Sequence, residues 1–150
     1  MTYGWAIFAL LLVLAALLSS GILSPNYLVS EECTFGNSIK CDFALYNDGG
    51  STRLTLNVFN GFPYRVRVND IELTTQDGKV VTGFPSNVVL ESGENSTFSG
   101  TVSGPIISEN AIKRFYGNLT YVSCAPELGT NCSTVEHTIT GRVVGKVIPQ

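Results

Sequence analysis

The sequence predicts an α+β chain: a long apolar N-terminal α-helix followed by an antiparallel immunoglobulin-like β-sandwich. Three observations carry this reading. The twelve acidic and nine basic residues all lie from Glu31 onward, so the first fifth of the chain is a different physical object from the rest. Trp5 to Leu23 reads as an unbroken apolar run with two serines and a glycine near its end. From Cys41 onward, apolar and polar residues alternate with a period of two, between glycine-rich turns. The expected organisation is a helix over residues 1–24, a linker carrying the first cysteine pair over 25–40, and an outer β domain over 41–150.

The helix follows from composition. Ala and Leu dominate the run, and both are strong helix formers. Ser19-Ser20-Gly21 weakens its end and Pro25 marks a stop. As a helix the run would reach roughly 28 Å, close to the hydrocarbon thickness of a bilayer. Three readings compete. A cleaved signal peptide needs a basic leading region, and Met1 to Gly4 has none. A permanent single-pass anchor has the length but lacks the usual Lys or Arg on its cytoplasmic flank. The third is a helix that rests in the membrane and later buries itself among copies of itself, which accounts for its being apolar on all sides. Ala6, Ala9, Val13, Ala16 and Ser20 recur at alternating spacings of three and four, a narrow seam that would let helix backbones approach closely. The short join at 24–30 is expected to couple helix and β domain firmly.

The β domain is read strand by strand. Leu54, Leu56 and Val58 alternate with polar residues over Thr52–Val58, and Val66 and Val68 alternate with arginines over Tyr64–Val68. Further strands are expected near Lys79–Thr82, Asn87–Glu91, Ser96–Val102, Arg114–Ser123 and Thr134–Val144. Asp48-Gly49-Gly50, Asn60-Gly61, Asp77-Gly78 and Ser92-Gly93 supply turns between them. Seven or eight short strands of this kind read as a sandwich, and roughly 110 residues suffice to bury a core.

Cys33, Cys41, Cys124 and Cys132 form two pairs of equal short spacing beside an apolar leader, which points to disulfides in an oxidising, extracytoplasmic setting. Three connectivities are open, with local closure, Cys33–Cys41 and Cys124–Cys132, expected. Neither pair has the close spacing of a zinc knuckle. Sequons begin at Asn95, Asn118 and Asn131. Asn95 falls on a turn, Asn118 on the outward face of its strand, and Asn131 within a disulfide loop; N-linked glycans are expected partners.

Nothing in the sequence points to an enzyme, and no catalytic residue, cofactor or metal site is expected. The single histidine, His137, shares a strand face with Val135, Ile139 and Val143 and reads as a partly buried structural residue. No phosphate-binding glycine loop, calcium loop or nucleophile elbow occurs. A net charge of −3 with scattered Lys and Arg argues against nucleic-acid binding.

The opening Met1-Thr2-Tyr3-Gly4-Trp5-Ala6-Ile7, followed by a Leu/Val/Ala run, resembles the start of archaeal type IV pilin-like proteins with class III signal peptides. The close match covers about seven residues; the rest is similar in layout, with a cysteine soon after the helix, a β-rich domain and a C-terminal strand such as His137–Val143. The family's upstream Gln/Glu processing motif is absent here, which leaves the mature N-terminus open. The resemblance implies a pilin: a subunit of an extracellular helical homopolymer at the cell surface, membrane-inserted before assembly, built on a pilus assembly platform and acting in adhesion. The alternatives are a membrane-anchored β-sandwich binding module and an archaellin-type motility subunit.

Overall fold

The computed structural model describes residues 3–20, 30–129 and 131–149, apart from the Leu128 side chain. The described residues form one helix, α1 (Tyr3–Ser19), and nine strands. The strands are β1 (Glu32–Thr34), β2 (Ile39–Asp48), β3 (Ser51–Asn60), β4 (Arg65–Thr75), β5 (Val80–Thr82), β6 (Val88–Leu90), β7 (Asn95–Val102), β8 (Ile112–Cys124) and β9 (Glu136–Lys146). A 3-10 turn over Pro126–Leu128 follows β8.

The expected immunoglobulin-like sandwich is not what forms. The strands close into an eight-stranded antiparallel barrel in the order β5-β7-β3-β2-β1-β9-β8-β4, with β4 returning to β5. The reason lies in two of the shortest strands. The trio β7-β3-β2 and the trio β9-β8-β4 would be the two leaves of a sandwich. β1 bonds to β2 on one side and β9 on the other, with Thr34 opposite both Lys40 and Arg142. β5 likewise bonds to β4 through Leu73↔Val81 and to β7 through Val81↔Val102. Both edges are thereby stitched, which removes open sheet edges along those seams. β6 lies beside β4 on the same flank as β5.

The interior is packed, as expected for eight strands. Leu54, Leu56 and Val58 of β3 point inward and are fully buried, as are Val66 and Val68 of β4. Beyond Val68 the β4–β8 register shifts before Asp70. The extra residue, Asn69, changes the inward parity, so Ile71, Leu73 and Thr75 are the buried residues thereafter. Bulky and minimal side chains complement one another on β9: a Cβ at Gly141 would collide with the ring of buried Phe35, and one at Gly145 with the ring of Phe43. A Cβ at Gly117 of β8 would meet the backbone carbonyl of Glu72.

One polar side chain closes an end of the barrel. Asn60 is 0 % exposed. The two hydrogens on its Nδ2 are shared among the carbonyls of Tyr64 (3.0 Å), Leu90 (3.1 Å) and Glu91 (3.0 Å), and its Oδ1 accepts the Phe62 N–H (3.0 Å). Its backbone also bonds across to Glu94 and Gly93. The Asn60-Gly61 pair thus marks a turn, as read from the sequence, and its asparagine holds two turns together.

Candidate functional site

Two parts of the molecule could carry function: the helix and the barrel's outer surface. In α1 no residue is buried, no acidic residue lies in the first turn and no basic residue in the last. Leu10, Leu11, Leu12 and Val13 step once around the helix and are 61, 58, 57 and 59 % exposed. No face is turned against the barrel. Trp5 and Phe8 meet edge to face at 6.3 Å. At the far end the Ser19 hydroxyl donates to the Ala16 carbonyl (2.9 Å) and the Ser20 hydroxyl to the Leu17 carbonyl (2.8 Å), turning both side chains back onto the last turn of the helix. Ala6, Ala9, Val13, Ala16 and Ser20 are all exposed, Ser20 lying just past the helix with its N–H on the Ala16 carbonyl.

The expected bilayer-spanning run is corrected in length. The helix is 17 residues, which is roughly 26 Å at 1.5 Å per residue. Among the described residues no helix is long and apolar enough to cross a membrane. The part of the run from Gly21 to Leu23, and most of the join expected at 24–30, lie outside the described residues.

Both local disulfides are present, Cys33–Cys41 and Cys124–Cys132. The first links β1 to β2 at one seam of the barrel, so β1 belongs to the barrel. The second ties the end of β8 to the segment ahead of β9, where the Ser133 N–H also donates to the Ser123 carbonyl (2.7 Å). Such bonds fit an oxidising environment.

The three sequon asparagines stand apart. Asn95 is exposed at the start of β7. Asn118 is half-buried in mid-β8 between Glu72 and Thr140, and the hydroxyl of its partner Thr120 lies 3.3 Å from that of Thr138. Asn131 is exposed within the second disulfide loop.

His137 differs from expectation. It is exposed near the start of β9, and its ring stacks on Tyr121 at 5.4 Å. Val135 beside it lies before the strand and is 61 % exposed, so the apolar face inferred from the sequence begins only at Ile139. Tyr121 continues to Phe62 at 5.5 Å and Phe62 to Tyr64 at 5.3 Å, an aromatic string in which burial raises the Tyr121 hydroxyl pKa, helped by Tyr64.

Among the described residues no group of three His, Cys, Asp or Glu side chains could hold a metal ion. A cleft of about 720 Å³ opens beside the first disulfide, lined by β1, the turn at Gly36-Asn37 and the start of β2, together with Asn57 and Phe59 of β3 and Asn95 of β7. The sequence reading passed over it, because its residues are spread over four strands and a turn, and its polar members look like ordinary solvent-facing polarity.

No protein-family model matches the chain. No curated protein is detectably similar to it in sequence.

Proposed function

We propose that this chain is a structural subunit of an extracellular helical filament of the type IV pilin-like kind, with α1 as the packing element and the barrel as the outer surface. The observation that supports this is an uncharged helix, apolar on every side and covered on none. A helix that is hydrophobic all round needs neighbours on all sides. Six leucines lie between Leu10 and Leu18, and withdrawing them from water is worth on the order of 10 kcal/mol. The barrel supplies no cover, so other copies of the helix are the occupants that this reading names. Closely spaced small residues at Ala6, Ala9, Val13 and Ala16 would set how near those copies approach. The barrel, tied by two disulfides, suits exposure at the cell surface, where a role in adhesion and N-linked glycans at its sequons belong to the same reading.

The test is reconstitution. Full chain held in detergent is freed of it by dialysis, alongside a chain lacking residues 1–20. Uniform thin fibres from the full chain alone, seen by negative-stain microscopy, are expected. A full chain that stays monomeric, or yields only shapeless aggregate, would reject the reading.

A further inference from the structure

The cleft beside the Cys33–Cys41 disulfide has the composition of a sugar site. The register of β3 sets Phe59 between Lys40 of β2 and Asn95 of β7, and Asn57 between Asp42 of β2 and Thr97 of β7. These positions point away from the packed interior, since their neighbours Val58 and Asn60 are fully buried. Phe59 is only half-buried, an apolar ring set among polar groups on an outer surface.

Asp42, Asn57 and Asn95 make no side-chain hydrogen bond to another described residue. Asparagine offers both donors and acceptors, and the carboxylate offers acceptors only. That mixture matches hydroxyl groups, which donate and accept at once. Lys40 and Asp42 cancel in charge, so the lining favours a neutral ligand over a phosphate or a cation. The volume of about 720 Å³ lies within the range of small-molecule sites.

We propose that this cleft binds a neutral saccharide, with a pyranose ring laid on Phe59 and its hydroxyls hydrogen-bonded to Asp42 and Asn57. The C–H face of the sugar covers the ring, and the disulfide fixes the cleft's wall. Two sources supply the same chemistry: a free oligosaccharide, or the first sugars attached to Asn95, whose side chain opens into the cleft. The proposal does not depend on α1 driving assembly.

Isotope-labelled full chain from a host without N-glycosylation is titrated in detergent with N-acetylglucosamine, galactose and mannose, followed by nuclear magnetic resonance. The same chain secreted by a glycosylating host is compared with its Asn95→Gln variant. Shifts confined to Phe59, Asp42, Asn57 and their neighbours, with an affinity near 1 mM for a single ring (an order-of-magnitude value, about what so small a ligand reaches), establish a seat for free sugar. The same shifts produced only by the attached sugar assign the cleft to the chain's own glycan. In either case Phe59→Ala weakens the response about fivefold, Phe59→Tyr restores it, and Asp42→Ala weakens it without touching the ring. If neither added nor attached sugar moves these signals, or if Phe59→Ala leaves the response intact, the proposal is wrong.

Discussion

Asn60→Asp replaces an amide with an almost identical shape that can no longer donate. In the wild-type chain Nδ2 shares its two hydrogens among three carbonyls at 3.0–3.1 Å in a site with no exposure. An ionised carboxylate would set an oxygen against all three. The loss of these bonds and the burial of a charge without a partner together cost about 4 kcal/mol near neutral pH. For a domain of this size that is a fall of roughly 12–15 °C in melting temperature. The loss is pH-dependent, with a definite sign. Burial among carbonyls raises the introduced carboxyl's folded-state pKa above its unfolded value of about 3.9. The variant therefore retains its stability best below about pH 3.9 and loses it as pH rises through the raised folded value. Thermal melts followed by far-ultraviolet circular dichroism, from about pH 3 to about pH 8, span that carboxylate range. A variant whose melting curves coincide with wild type across the series would show that Asn60 is not the clamp described.

Four further outcomes follow from other parts of the molecule. Cys33→Ser with Cys41→Ser opens a loop of separation 8 and should lower stability by about 2.5 kcal/mol, measured by urea unfolding; an unchanged midpoint would contradict it. Gly117→Ala forces a methyl against the Glu72 carbonyl and should cost about 3 kcal/mol, whereas Gly4→Ala, with open space around it, should leave the barrel's melting unchanged; equal effects would refute the packing argument. Asp77 is lowered from 3.8 to about 2, chiefly by hydrogen bonding with Thr75 and then with Lys113, so its stabilising contribution is present above about pH 3.8 and lost as pH falls through about 2. Subtracting the acid-denaturation curve of Asp77→Asn from that of wild type checks this, and a difference that grows toward low pH would have the wrong sign. Ala9→Leu and Ala16→Leu widen the seam of α1 and should abolish fibre formation while leaving barrel melting intact; normal fibres from both would remove the seam from the account.

Most strands were legible because a half-buried strand writes its period directly into the chain. β3 is the clearest case, with Leu54, Leu56 and Val58 inward and polar residues between them. β4 was read too short: the bulge at Asn69 changes the parity, so Ile71 and Leu73 fall out of step with Val66 and Val68. Barrel closure was not legible. A leaf of a sandwich and a stave of a barrel show the same alternation, and the difference rests on β1 and β5, three residues each, too short to display any period. The local disulfides could be anticipated from spacing. The cleft could not, since Asp42, Asn57 and Asn95 are neighbours only through strand register. The apolar run was plain in the sequence, but its extent as a helix was read too long for the described residues, which end it at Ser19.

The most direct test of the central claim is electron cryo-microscopy of fibres sheared from the surface of cells that make this chain. The account predicts a thin fibre whose central density is a bundle of helices carrying the side chains of Trp5 to Leu18, with disulfide-bonded barrels on the outside. Fibres that lack this chain, or in which the barrels form the core and α1 projects into solvent, would contradict it.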